Sequence, residues 1–133
     1  MSDRDKDIAI AKAVGFKVYK GTLYAPGGTL LGGDFDIHIG KKPETPESIE
    51  ATWSAYTPRF TANESDAIWL VENCKNFAVF GLGYELEPAR YWKATFLVKD
   101  AKCRVSHFTA SHEDAAMAIC EAWLKMHEAK ESE

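Results

Sequence analysis

The clearest alternation of apolar and polar positions lies in the last third of the chain. Residues 91–98 have the two-residue period of a half-buried β-strand. A polar turn at 99–102 and a second strand from Cys103 to Thr109 are predicted to follow. The apolar face of the first strand consists of Trp92, Ala94, Phe96 and Val98.

The period changes at Ser111, which together with Glu113 and Asp114 is typical of a capped helix start. Apolar side chains then recur every three or four residues, so we predict an amphipathic helix that packs on the strands. Its buried stripe is Ala115, Ile119, Ala122 and Met126, widened by Ala116, Cys120 and Trp123.

Two further helices are predicted upstream. The first begins at Ser2 or Asp3 and ends at Gly15, with Ile8 and Ala11 toward the core and polar residues such as Asp7 toward water. The other begins at Thr61, where Glu64 three residues later completes a capping box. We also expect a short apolar strand, Phe77–Phe80, at a central position of the sheet.

The segment from about residue 21 to 57 is the least regular part of the pattern. It predicts a small hairpin around Pro26-Gly27-Gly28, a strand over residues 34–39 and one helical turn within residues 47–56. Because long irregular segments in compact domains often have a function, we expect a ligand or a partner to bind here.

The order of elements and the length of the chain predict the fold class. Sequential strands joined by short turns favour antiparallel pairing, and 133 residues with 46% apolar content suffice for one core. We therefore predict an α+β fold, an antiparallel β-sheet packed with helices in a sandwich-like single domain over residues 1–133.

Three blocks of the sequence resemble the phage ABA sandwich domain, a family of small bacteriophage and prophage proteins. Residues 7–16 resemble its opening helix with a Gly-aromatic stop, and residues 58–72 resemble its Pro-x-aromatic-Ser/Thr entry to a helix. Trp92-x-Ala94-x-Phe96 and the apolar residues of 118–124 resemble its closing strand and helix. The resemblance implies a sandwich fold and a phage setting, with no catalytic motif to transfer. The chain departs from the family at Trp123, where alanine is usual, and in the longer segment 34–56.

Charge and cysteine content narrow the function classes. A net charge of −4 argues against a broad nucleic-acid surface. The sequence has neither an apolar run of membrane-spanning length nor a signal peptide, so we expect an intracellular protein without membrane partners. In the phage setting that the resemblance implies, this location is the host cytoplasm. The three cysteines are too few and too widely spaced for a disulfide framework or a zinc knuckle. The glycine pairs lack the patterns of nucleotide-binding loops, and we expect no cofactor.

Two sets of residues with catalytic or metal-binding side chains have more ordinary interpretations. Asp34, Asp36 and His38 would share one face of a strand and could hold a divalent metal, but alternation alone produces this spacing, and we predict no metal site. His107 and His112 could act in acid–base chemistry, but no nucleophile motif accompanies them, and we assign no catalytic residue.

A better candidate site combines aromatic faces with cationic groups. Such sets suit stacking on a base and neutralising a phosphate, as a nucleotide ligand requires. Packing on the domain is the ordinary role of such aromatic residues. The candidate ligand-binding residues are Trp53, Tyr56 and Arg59 before the second helix, and Arg90, Tyr91, Trp92 and Lys93 at a strand start.

The sequence thus favours a phage protein that acts as a non-enzymatic binding module. In the host it would counter a defence response by sequestering a nucleotide-like signal or a host protein. One alternative is a small hydrolase of a nucleotide signal that uses His38, His107 or His112. Another is a structural or accessory phage protein that acts by self-association, as a homo-oligomer.

Overall fold

The computed structural model describes residues 2–74 and 77–131. These residues form five helices and two three-stranded antiparallel sheets, which confirms the predicted α+β class. The chain divides into two compact units, Met1–Pro58 and Arg59–Glu133. In chain order the elements are α1 (Asp3–Val14), β1 (Lys17–Tyr19), β2 (Thr22–Tyr24), β3 (Leu30–Gly33), α2 (Phe35–His38), α3 (Pro46–Tyr56), α4 (Glu64–Asn73), β4 (Val79–Glu85), β5 (Tyr91–Lys99), β6 (Val105–His112) and α5 (Ala115–Glu131).

Helix α1 begins and ends where the sequence predicts. Ser2 caps it in a capping box with Asp5, and Gly15 ends it in the left-handed conformation at φ 114°. The predicted solvent position of Asp7 is wrong, because this side chain is buried and pairs with Arg4 at 3.2 Å. A buried carboxylate needs such a partner to offset its lost hydration.

The predicted hairpin around residues 26–28 is confirmed. Strands β2 and β3 pair antiparallel, and β1 pairs with the other side of β2. The main chain at Gly33 lies so close to β2 that an added Cβ atom would stand 2.2 Å from the Gly21 carbonyl oxygen. Glycine is therefore required at this point of the sheet.

The rest of the segment predicted to be irregular contains two helices. Asp34 accepts a hydrogen bond from the Asp36 N–H at 2.9 Å and so caps α2, and the predicted strand over residues 34–39 is wrong. Helix α3 has eleven residues and begins with a capping box between Thr45 and Ser48. The capping bond at Asp34 outweighs the apolar alternation of residues 34–39. Helix α3 is longer than the single helical turn predicted within residues 47–56.

The second unit contains a helix, a sheet and a final long helix. Helix α4 is capped by Asn63, whose side chain accepts from the N–H groups of Ser65 and Asp66, and the predicted cap at Thr61 is wrong. The strand order is β4-β5-β6, so β4 is an edge strand. The strand predicted at residues 77–80 begins at Val79, after Phe77 and Ala78, and its predicted central position is wrong.

The predicted packing of the last helix on antiparallel strands is confirmed, but the helix starts later than expected. Strand β6 continues through Ser111, which pairs with Lys93 of β5, and α5 begins at Ala115. Continued pairing with β5 keeps Ser111 extended, which rules it out as a helix cap. Helix α5 packs on β5 and β6 and buries Phe96, Ile119 and Trp123.

The three cysteines lie in different surroundings. Cys74 is buried and accepts a hydrogen bond from the Trp123 indole N–H at 3.0 Å. Cys120 is fully buried in the α5 face. Cys103 is exposed in the β5–β6 hairpin, where its φ is 62°. Among the helices that the structure describes, none is long and apolar enough to cross a membrane.

Candidate functional site

The predicted ligand-binding residues fall in both units. Trp53 and Tyr56 lie on α3 of the first unit, whereas Arg59 is an exposed residue of the second. Arg90 precedes β5, and the other three residues, Tyr91, Trp92 and Lys93, begin that strand. The predicted set is therefore divided between the two units.

Trp53 and Tyr56 have different surroundings although both lie on α3. Trp53 is only 9% exposed, and the Lys12 ammonium lies 5.3 Å from its ring centroid. This cation–π contact and the burial give Trp53 a packing role. Tyr56 is 41% exposed and borders an open groove.

The first unit has a groove between α2 and α3 with a volume of about 450 Å³. Phe35 stands at its edge with 70% of its surface exposed. We call it the Phe35–Tyr56 groove. Its lining residues are Gly33, Asp34, Phe35, Ile37, Ser48, Ala51, Thr52, Ala55 and Tyr56.

The sequence forms this groove through helical spacing and a glycine. The α3 residues that line it recur at three- and four-residue intervals, so they share one face of the helix. The ring of Tyr56 lies against Gly32, where an added Cβ atom would come within 2.3 Å of the ring. Gly32 thereby lets Tyr56 lie flat on β3.

Three polar side chains of the lining, Asp34, Ser48 and Thr52, are bonded within the protein. Asp34 accepts from the Asp36 N–H, and the Ser48 hydroxyl both accepts from the Thr45 N–H and donates to the Thr45 carbonyl oxygen, each at 2.9 Å. The Thr52 hydroxyl donates to the Ser48 carbonyl oxygen, also at 2.9 Å. What the groove offers to a ligand is therefore mainly apolar and aromatic surface, with one carboxylate at its edge.

Sequence reasoning missed Phe35 because it placed this residue on a strand. The signal that could have revealed it is Asp34, which is a favoured helix cap and precedes an aromatic residue. A capped short helix exposes the residue at its first position, whereas the alternating strand would have buried it.

The alternation of side chains along β5 divides the second predicted cluster between the two faces of the strand. Tyr91 and Lys93 share one face of β5, and Trp92 lies on the other face with its ring 5.0 Å from that of Tyr84. Glu85 contacts both Tyr91 and Lys93. It accepts a hydrogen bond from the Tyr91 hydroxyl at 2.5 Å and lies 3.9 Å from the Lys93 ammonium.

Glu85 changes the electrostatics of this cluster. Its hydrogen bond raises the pKa of Tyr91, because the bond stabilises the protonated phenol. Its carboxylate also competes with any phosphate for Lys93. Sequence reasoning missed Glu85, whose place opposite Tyr91 follows from the β4–β5 register. This geometry is less suited to an anion than the sequence suggested.

The remaining sequence candidates do not converge. Among the described residues there is no group of three side chains that could hold a metal ion. His107 and His112 differ by five positions on one strand and so point to opposite faces of β6. The His112 Nδ1 atom accepts the Asp114 N–H at 3.0 Å, which assigns that imidazole to the turn before α5.

Comparison of the chain with protein-family models, with curated proteins and with solved structures found no match in any of the three.

Proposed function

We propose that this chain is a non-enzymatic binding protein that takes an apolar segment of another protein into the Phe35–Tyr56 groove. The observation that supports this most directly is the exposure of Phe35, 70%, beside a groove of about 450 Å³. Aromatic side chains at the centre of a contact supply much of the binding free energy in protein interfaces. Phe35 and Tyr56 both line the groove and offer exposed aromatic surface to an inserted side chain.

The lining favours a protein segment over a nucleotide-like ligand. It contains the carboxylate of Asp34 and no lysine or arginine, whereas a phosphate group needs cationic or N–H donors. Glu47 lies one helical turn before Ala51 on α3, which adds negative charge near the same helix face. The occupant that fits best carries an apolar side chain next to a basic residue.

The resemblance to phage ABA sandwich domains suggests the biological setting. We propose that the protein belongs to a bacteriophage or prophage. In the host cytoplasm it would bind a host protein and thereby weaken a defence response. Sequestration of a nucleotide-like signal is the alternative that the aromatic and cationic residues at the start of β5 suggest.

The test uses a random peptide display library selected on the immobilised full chain, with the affinity of synthetic selected peptides measured by fluorescence anisotropy. We expect peptides that combine apolar and basic residues, and at least about tenfold weaker binding to Phe35→Ala and to Tyr56→Ala, equal to about 1.4 kcal/mol each. Tyr19→Ala is the matched control, because Tyr19 is 61% exposed in the same unit and does not line the groove.

Two outcomes would contradict the proposal. Peptides that bind Phe35→Ala as tightly as the unchanged protein would place the binding surface elsewhere. A nucleotide that stabilises the protein against heat, with the effect lost in Lys93→Met and kept in Phe35→Ala, would favour the alternative. Conversion of that nucleotide into a product would indicate an enzyme.

A further inference from the structure

Strand β6 forms one edge of the second sheet. It pairs with β5 over eight consecutive residue pairs, from Trp92 with His112 to Lys99 with Val105, without a register shift. In the strand order β4-β5-β6, its other side has no strand neighbour within the part of the chain that the structure describes. Such an edge presents N–H and C=O groups to which a further strand can bond.

The alternation of hydrogen-bonded and non-bonded residue pairs between β5 and β6, here called the hydrogen-bond phase, shows which residues direct their N–H and C=O groups to the free edge. The Asp100 N–H donates to the Arg104 carbonyl oxygen at 3.0 Å, which makes residues 100 and 104 a bonded pair. Bonded and non-bonded pairs alternate in an antiparallel ladder, so residues 106, 108, 110 and 112 bond to β5. The main-chain groups of residues 105, 107, 109 and 111 therefore point to the free edge.

Two side-chain contacts agree with this phase. The hydroxyl oxygens of Thr95 and Thr109 lie 3.1 Å apart, as expected for the closer side chains of a non-bonded pair. The Lys125 ammonium on α5 donates to the Thr109 carbonyl oxygen at 2.8 Å. Lys125 thus occupies an acceptor on the free edge of β6.

The strand itself lacks the usual protections of an edge. Residues 105–112 read Val-Ser-His-Phe-Thr-Ala-Ser-His, with no proline, glycine, lysine, arginine or acidic residue. Natural edge strands commonly use a charged side chain, a proline or a bulge to prevent pairing with another chain. Lys125 supplies such a charge from a neighbouring helix.

We propose that the free edge of β6 is a pairing surface for β6 of a second copy of this chain, and that Lys125 keeps it closed. Two identical strands pair antiparallel about a twofold axis at His107, which sets Val105 opposite Thr109. The strand has no lysine, arginine or acidic side chain, so this pairing sets no such charges of like sign opposite each other. It also needs the Thr109 carbonyl oxygen, so Lys125 must leave that oxygen in both copies.

The test compares Lys125→Met with the unchanged protein by size-exclusion chromatography with light scattering, over a range of concentrations and with a reductant. We expect the dimer dissociation constant to fall at least about tenfold, because two charge-assisted hydrogen bonds no longer oppose pairing. Lys130→Met is the control, since it removes the same charge from the same helix. It should leave the dissociation constant unchanged.

A second substitution identifies the surface. His107→Pro removes an N–H from the free edge and leaves the ladder to β5 intact. Added to Lys125→Met, it should restore the monomer. Lys125→Ala replaces Lys125→Met if circular dichroism shows that the methionine variant is unfolded.

Two results would overturn the proposal. The first is a dissociation constant of the Lys125 variant equal to that of Lys130→Met. The second is a dimer that persists in the double variant with His107→Pro.

Discussion

The strands of the first sheet have three or four residues each, whereas those of the second have seven to nine. The short sheet depends on close main-chain contact at Gly33 and on the capped helices that follow it. The long sheet has continuous register and one helix laid across it. The structure of the first unit thus depends on single close contacts and helix caps, whereas that of the second depends on a repeated pattern of apolar residues.

The largest expected difference in stability between the two sheets comes from a glycine substitution. Gly33→Ala in β3 places a Cβ atom against the main chain of Gly21 and Thr22, and we expect a loss of about 3 kcal/mol in the free energy of unfolding, measured by urea denaturation. Gly81→Ala in β4 meets open space and should stabilise by about 0.5 kcal/mol. Equal effects of the two substitutions would contradict the comparison.

An arginine substitution should have the next largest effect. Arg4 donates to the carbonyl oxygens of Ser54 and Thr57 at 2.7 Å and of Pro58 at 3.3 Å, which satisfies the end of α3. We expect Arg4→Met to cost about 2 kcal/mol in the free energy of unfolding by urea denaturation, since bonds to charged groups are the stronger kind.

The control for Arg4 is Arg104→Met in the second unit. Arg104 pairs with Asp100 at 2.8 Å, but its side chain is 73% exposed. Because exposed ion pairs contribute little to stability, this variant should unfold at nearly the same urea concentration as the unchanged protein. A larger loss for Arg104 than for Arg4 would refute the ranking.

The smallest effect concerns the pH dependence at Glu85. The pKa of Tyr91 is raised in the folded state, so the stabilisation from its hydrogen bond is present at neutral pH and is lost as the pH rises through that pKa. Glu85→Gln should lower the pKa of Tyr91, followed by phenolate absorbance with Tyr91→Phe to assign the signal. Glu87→Gln, in the nearby turn, should leave that pKa unchanged.

The long-range pattern of the second unit was largely predictable from sequence. The alternation of residues 91–98 and the stripe from Ala115 to Met126 correctly gave β5 and α5, because a repeated period is robust to single residues. The predicted helix start at Ser111 was wrong, because the pairing of that residue with β5 depends on a strand register that the local sequence does not specify.

The candidate site was predictable only in part. Tyr56, one of the predicted ligand-binding residues, borders the groove, but Phe35 was assigned to the wrong element. The competition between a capped turn of helix and an alternating strand at Asp34 is decided by a few hydrogen bonds. Sequence spacing also could not show that Glu85 lies between Tyr91 and Lys93.

The exposed thiol in the β5–β6 hairpin has a practical consequence. Since the other two cysteines are buried, Cys103 is the position that a maleimide dye should modify in the folded protein. Such a dye would report on this hairpin from a single known place. Air oxidation at the same thiol would join two molecules covalently and imitate a native dimer.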